Sequence, residues 1–261
     1  MAPLSPDKVG AWVEYSEAPW GRLRTELISA TLDRHAPPAP AHVLDVGCGL
    51  GEISVRFANA GSDVVAADAS AAMIAEAERH AGTAPVRWLA CDLDATARAL
   101  AGERFDLVLC HNVLGYVADP AAATVVLASL LAPGGTLSLT LANRTAEPLR
   151  LAFGARDLAA ALHAAQHGEP MRQSGTLDVE SVLHDVDEAI GWLDAAGLEH
   201  VATAGHLLIN HYLGAADRLN RTADGYTAIR DLELALAERD PYRRIAPFFQ
   251  LVAVSGTAAG T

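Results

Sequence analysis

Between Val43 and Gly51 the chain reads Val-Leu-Asp-Val-Gly-Cys-Gly-Leu-Gly, so that Gly47, Gly49 and Gly51 stand at alternate positions behind a short apolar run. Glycines so placed admit backbone dihedrals closed to other residues and let a ligand lie against the main chain. A dinucleotide fingerprint needs G-x-G-x-x-G, with the pyrophosphate on the helix N-terminus. Here Glu52 holds the place of the third glycine. An acid at a helix start repels a pyrophosphate, and is compatible with a nucleoside ligand that carries no phosphate. S-adenosylmethionine is such a ligand.

Carboxylates follow at intervals that suit a nucleoside. Asp68 ends the next apolar run, about twenty residues beyond the glycines, where an acid can bind both ribose hydroxyls. Asp92, in Ala90-Cys-Asp-Leu93, can accept the adenine amino group, and His111-Asn112 ends a further run, facing the methionine half of the ligand. The set expected around the cofactor is Arg24, Asp45, Gly47, Cys48, Gly49, Gly51, Asp68, Ala69, Met73, Asp92, Leu93 and His111.

The elements that must position these residues are legible in the apolar period. Residues 42–46, 63–67, 86–90, 105–110 and 136–141 read as strands. Helices are expected at 53–60, from the cap Ser70 through Met73, Ile74 and Ala77, and at 120–131 with proline in the first turn. Such alternation means βαβ units and a parallel sheet, hence an α/β, Rossmann-like fold. Before it, residues 1–40 form an N-terminal helical segment, with Leu23, Leu27 and Ala30 at helical spacing and Pro37-Pro-Ala-Pro40 as its stop. After residue 142 the alternation breaks. Residues 143–185 read as a helix-rich lid inserted after the fifth strand into a domain spanning 41–261. A helix at 190–196, strands at 198–202 and 205–213, a helix at 224–239 and a last strand at 248–254 complete the reading.

Composition narrows the partners. A net charge of −13 is an unhelpful field for nucleic acid, whose binding rests on cations that displace counterions. No apolar run is long enough for a membrane span and the N-terminus has no signal-peptide pattern, so a cytoplasmic protein is expected. Cys48, Cys91 and Cys110 form no CxxC pair and read as small buried hydrophobes. No metal site is expected, since His206 and His211 lack a third partner at ligand spacing. The oligomeric state stays open.

Residues 40–142 resemble the class I S-adenosylmethionine-dependent methyltransferases: the glycine motif 43–51, Asp68, Asp92 and Pro133-Gly134-Gly135 all match that pattern. The resemblance implies a seven-stranded sheet, parallel with an antiparallel last strand. A narrower resemblance, to the tRNA 5-carboxymethoxyuridine methyltransferases and their relatives, spans nearly the whole chain. It is carried by Gly21-Arg-Leu-Arg24, His111-Asn-Val-Leu-Gly-Tyr-Val-Ala-Asp-Pro120, Leu131-Ala-Pro-Gly-Gly-Thr-Leu-Ser-Leu139, Asn210-His-Tyr-Leu213 and the stretch 231–242. It implies that Arg24 binds the cofactor and that His111 lies beside it. A guanidinium also suits the methionine carboxylate on chemical grounds. The chain departs from that family where it has Glu169-Pro-Met-Arg-Gln-Ser-Gly-Thr-Leu177 in place of a lysine-rich stretch, and where Leu207, Pro247 and Gln250 replace basic or hydrogen-bonding residues. The departures point to a small-molecule substrate, with no nucleic acid and no membrane.

Methyl transfer needs nucleophile, methyl and sulfur in line and water kept out. A base is needed only for a nucleophile that is protonated at neutral pH. His111, Tyr15 and His211 are the catalytic candidates, and Trp20, Asn112, Tyr116, Asn143, His206, Asn210 and Tyr212 the substrate candidates. Three readings stay open: a small-molecule methyltransferase of specialised, natural-product metabolism acting on O, N or a ring carbon; a tRNA wobble carboxymethoxyuridine methyltransferase; and a non-catalytic S-adenosylmethionine-binding protein.

Overall fold

His42–Val46 (β1) is buried almost throughout, as a strand covered on both faces must be. It lies inside a seven-stranded sheet, third from one edge, in the computed structural model, which describes residues 6–167, 172–174, 179–213 and 222–257. Two helices precede it, α1 (Pro6–Glu17) and α2 (Pro19–His35). The α/β alternation then runs α3 (Glu52–Asn59), β2 (Asp63–Asp68), α4 (Ala71–Ala81), β3 (Val86–Ala90), α5 (Leu93–Ala99), β4 (Phe105–His111), α6 (Pro120–Ser129) and β5 (Leu131–Ala142). Beyond β5 come a short α7 (Glu147–Leu149), a π-helical turn at 150–155, α8 (Leu158–Gln166), β6 (Arg172–Ser174) and β7 (Glu180–Val182). The chain ends with α9 (Val186–Ala195), β8 (Leu198–His206), α10 (Leu208–Leu213), α11 (Ala223–Leu236), α12 (Tyr242–Ile245) and β9 (Phe248–Ser255).

The strand order is β3-β2-β1-β4-β5-β9-β8. The first five strands are parallel, and β9 runs antiparallel between β5 and β8. The order reverses between β1 and β4, so the crevice at their carboxyl ends is the place where such a sheet takes a ligand. One face buries Leu44, Phe105, Val108, Leu137 and Phe249 with Leu127 of α6 and Leu193 of α9. The other buries Val43, Val64, Leu107 and Leu109 under Ile28 and Leu32 of α2 and Phe57 of α3. Helix starts are set by side-chain caps: Ser70 accepts from the Met73 amide at 3.2 Å, and Asp119 from that of Ala122 at 2.9 Å.

The structure corrects three expectations. Among the described residues of the insertion at 143–185 the helices lie in the first half, and β6 and β7 pair as an antiparallel ribbon in the second. A helix the apolar period did not reveal, α5, starts at Leu93 because Asp92 accepts from the Ala95 amide at 2.9 Å. Seven residues are too short a run for the apolar period to stand out, although Leu93 and Ala97 pack against the core. Of residues 205–213, only Gly205 and His206 are strand, as the end of β8. Leu207 adopts a positive φ of 63°, which breaks β8, and α10 begins at Leu208. Its first turn is held from a distance: the Glu233 carboxylate on α11 accepts from the amides of Leu208 and Asn210, each at 3.0 Å. Nothing within 207–213 announces that cap.

Candidate active site

The loop leaving β1 is fixed before any ligand enters. The Gly47 and Cys48 amides both donate to the Ala67 carbonyl, at 2.7 and 3.0 Å, which ties the loop to β2. Gly47 has φ +73°, and a Cβ there would lie 2.1 Å from the Val113 side chain, so both dihedral and space demand glycine. Gly51, expected at the cofactor, instead serves packing. It starts α3 at φ +73° with the Trp88 ring 2.4 Å from where its Cβ would be, and it is not on the cavity wall.

A cavity of about 490 Å³ opens beside this loop, at the carboxyl ends of β1, β2 and β4. Asp45, Gly47, Cys48, Gly49, Asp68, Ala69, Met73, Asp92 and Leu93 line it from the sheet side. Asp68 Oδ2 accepts from the Gly49 amide at 3.2 Å and Oδ1 from that of Ser70 at 2.8 Å, so one carboxylate orients both strand-end loops. Burial pushes its pKa up, and the two backbone N–H bonds oppose the rise. Asp45 accepts from the Ser54 hydroxyl at 2.6 Å. Burial raises its pKa to about 6 against that hydrogen bond, and the negative charge of Asp68 adds to the rise. Two buried acids side by side favour a cationic ligand. Glu52 also reaches the wall, where the Thr25 hydroxyl donates to it at 3.1 Å.

The opposite wall comes from α1 and α2. The Trp12 and Tyr15 rings stack at 5.0 Å between centroids, with the Arg24 guanidinium 4.9 Å from Trp12. Arg24 Nε is buried without a hydrogen-bond partner. An orphaned guanidinium donor is costly unless an acceptor arrives, and a ligand carboxylate supplies one. Trp12, one helical turn before Tyr15, went unread in the sequence, although i, i+3 spacing puts both rings on one face.

The end of β4 supplies His111, Asn112 and Tyr116 to the cavity. Asn112 takes a positive φ of 57° and its amide donates to the Thr140 carbonyl at 2.9 Å. Gly115 lets the ribbon after α8 close down: a Cβ would lie 2.9 Å from the Val182 carbonyl. Ser181 of β7 hydrogen-bonds Tyr116, whose hydroxyl is pushed up by burial. Val179, Ser181 and Val182 were invisible as site residues in the sequence, because only the ribbon brings them over β4. His111 Nε2 lies 3.0 Å from Ser138 Oγ. Burial, with the nearby Arg24 and His206, lowers its pKa to about 3, so the ring is neutral.

Seven expected site residues lie off the cavity wall. Gly51 packs on Trp88, as described above. Asn143 is a backbone clamp, its amide donating to the Arg244 and Ala246 carbonyls at 2.8 Å each. His206 is buried in β8 against Gln250 at 2.8 Å. Trp20 is half-buried at the start of α2. Asn210, His211 and Tyr212 ride on α10, which packs against the 150–155 segment, with Tyr212 edge-on to Phe153. The stretch 169–177 lies outside the described residues except for 172–174, as do Arg218 and Arg221. Among the described residues no cluster of three His, Cys, Asp or Glu side chains could hold a metal ion, and no helix is long and apolar enough to cross a membrane.

Residues 44–137 match a methyltransferase domain family. The chain is 30% identical over 240 residues to a tRNA 5-carboxymethoxyuridine methyltransferase of Escherichia coli (strain K12), covering 89% of this chain and 88% of that protein. It is 34% identical over 209 residues to a ubiquinone biosynthesis O-methyltransferase of Xanthomonas axonopodis pv. citri (strain 306), covering 79% and 80%. Its fold is that of the magnesium protoporphyrin IX methyltransferase of Synechocystis PCC 6803, solved with bound S-adenosylhomocysteine, at a TM-score of 0.59 and 19% identity over 95% of this chain and 94% of that one. Glycine loop, strand-end acids, sheet order and relatives agree: the chain belongs to the class I S-adenosylmethionine-dependent methyltransferases.

Proposed function

We propose that the enzyme methylates a small molecule bound in the cavity beside β4, and that it does not act on tRNA. The observation that carries this is the charge of the wall: Arg24 is its single cation among the described residues, against Asp45, Glu52, Asp68 and Asp92. A tRNA substrate needs cations for its phosphates, and a carboxymethoxy acceptor needs one for its carboxylate. Four other arginines of the described residues are already engaged. Arg144 pairs with Asp185, Arg150 with Glu147, Arg243 with Asp240, and Arg244 with Asp187.

When bound, the cofactor would supply an electrophilic methyl on a sulfonium. Asp68 would hold the ribose hydroxyls and Asp92 the adenine edge. Arg24 would take the carboxylate, and the paired charges of Asp45 and Asp68 would face the cationic half. Met73, Ala69, Cys48 and Leu93 would wall the nucleoside. His111, Asn112, Tyr116 and Phe248 surround the remaining space, and the N-terminal segment with the β6–β7 ribbon would act as the lid that keeps water out. The acceptor atom is an oxygen, nitrogen or nucleophilic ring carbon, in a compound of specialised metabolism; a cytoplasmic location suits this reading.

The test is methyl transfer with labelled cofactor, offered in parallel to small-molecule extract and to tRNA bearing unmethylated carboxymethoxyuridine at low salt. Label in the small-molecule fraction alone is expected. Efficient turnover on the tRNA would overturn the substrate reading and leave the enzyme class standing.

A further inference from the structure

A file of polar side chains crosses the sheet on the face covered by α2, one from each of four neighbouring strands: His111 on β4, Ser138 on β5, Gln250 on β9 and His206 on β8. His111 Nε2 lies 3.0 Å from Ser138 Oγ, Gln250 Nε2 donates to that same oxygen at 2.9 Å, and Gln250 Oε1 lies 2.8 Å from His206 Nε2. Ser138, Gln250 and His206 are 0–1% exposed, out of reach of bulk solvent.

The far end fixes the direction of every bond. His206 Nδ1 is buried with no partner. A bare lone pair there is tolerated better than a bare N–H, so the His206 proton sits on Nε2 and is donated to Gln250 Oε1. The Gln250 amide then presents its NH₂ to Ser138. A hydroxyl has one hydrogen and two lone pairs; Ser138 Oγ accepts from Gln250, and the file offers its hydrogen one acceptor, His111 Nε2. His111 Nε2 is therefore the acceptor, and the ring proton is on Nδ1. The reverse tautomer would leave the Ser138 hydroxyl proton without a place in the file.

We infer that the Ser138–Gln250–His206 file locks His111 as its Nδ1–H tautomer, making it a hydrogen-bond donor into the cavity rather than a proton acceptor. The group it meets must be a neutral lone-pair acceptor, such as a carbonyl oxygen. His111 thereby positions the methyl acceptor without taking a proton from it. Burial and the adjacent Arg24 keep the ring neutral, which agrees. Ser138, Gln250 and His206 are positioning residues that act through His111. The inference rests on the reading of this cavity as the methyl-transfer site, whereas the tautomer itself does not.

The experiment is nitrogen-15 imidazole spectroscopy of the full chain at neutral pH, with the His111 signals identified by their loss in His111→Gln. The wild type is expected to show a protonated Nδ1 and a bare Nε2. In Gln250→Glu, the carboxylate accepts from both His206 and the Ser138 hydroxyl. Ser138 must then accept from His111, and the pattern inverts to Nε2–H. Ser138→Ala, which removes the link with little change of volume, is expected to leave a mixture of tautomers and serves if the glutamate does not fold. An Nε2–H in the wild type, or an unmoved Nδ1–H in both variants, overturns the proposal. S-adenosylhomocysteine titrated into the same samples tests the site reading separately, since failure to bind it would sink that reading and leave the tautomer result intact.

Discussion

The Arg24 guanidinium carbon stands 4.9 Å from the centroid of the Trp12 ring, which itself stacks on Tyr15. The cation lies along an aromatic surface, on the cavity wall, with its Nε unpaired. An arginine keeps both the stacking and the fork of donors, and a lysine keeps neither. Arg24→Lys is therefore expected to weaken S-adenosylhomocysteine binding by about 1.5–3 kcal/mol, the worth of hydrogen bonds to a charged group. Titration calorimetry reads this as roughly a ten- to hundredfold rise in Kd, and wild-type affinity would remove Arg24 from the cofactor.

Asp68 anchors two loops and is proposed to hold the ribose as well. Its oxygens accept from the Gly49 and Ser70 amides, so Asp68→Ala strips both loops of their anchor as well as the ribose of its partner. Asp68→Asn keeps volume and one acceptor oxygen. Binding is expected to fall by tenfold or more in both variants, while the thermal midpoint drops further in Asp68→Ala. Equal affinity for the product cofactor in wild type and Asp68→Asn would contradict the assignment.

Asp45 links stability to pH. Its carboxyl is raised to about 6 in the folded chain, first by burial, and returns to an ordinary value near 4 on unfolding. The folded state thus holds the proton more tightly, and Asp45 makes stability fall as pH rises from about 4 through 6. Between pH 5 and 7.5 this amounts to about 1 kcal/mol. Urea denaturation of wild type and Asp45→Asn at both pH values is expected to show the variant gaining on the wild type by that amount as pH rises. A constant difference between the two would show that Asp45 titrates normally.

Glu233 is 1% exposed and its two oxygens hold the first turn of α10. Glu233→Ala leaves the buried Leu208 amide and the part-buried Asn210 amide without this partner, at a cost of about 1–3 kcal/mol for the buried one and less for the other. Hydrogen exchange is expected to accelerate at residues 207–213 before the sheet is affected. Slow exchange there in the variant would mean that α10 is stable without its distant cap.

How far the sequence reached depended on the range of the forces involved. The sheet, the glycine loop and the strand-end acids were legible because each rests on local chemistry: an apolar run such as Val43–Val46, a cap such as Ser70, a glycine where Val113 leaves no room for a side chain at Gly47. The resemblance then supplied the sheet's seven strands and the cofactor, both of which hold.

What only the tertiary structure decided are the meetings of residues far apart in the chain. His206 read as a substrate residue from its neighbours, yet pleating and strand order place it four strands into a buried file with Gln250 and Ser138. Asn143 read the same way until two carbonyls near residue 245 claimed its amide. The segment 207–213 passed for a strand because its helix is capped by Glu233, more than twenty residues downstream. Side-chain hydrogen bonds carry no periodicity, so composition and spacing announce which residues can form them, and only the packed sheet determines which ones do.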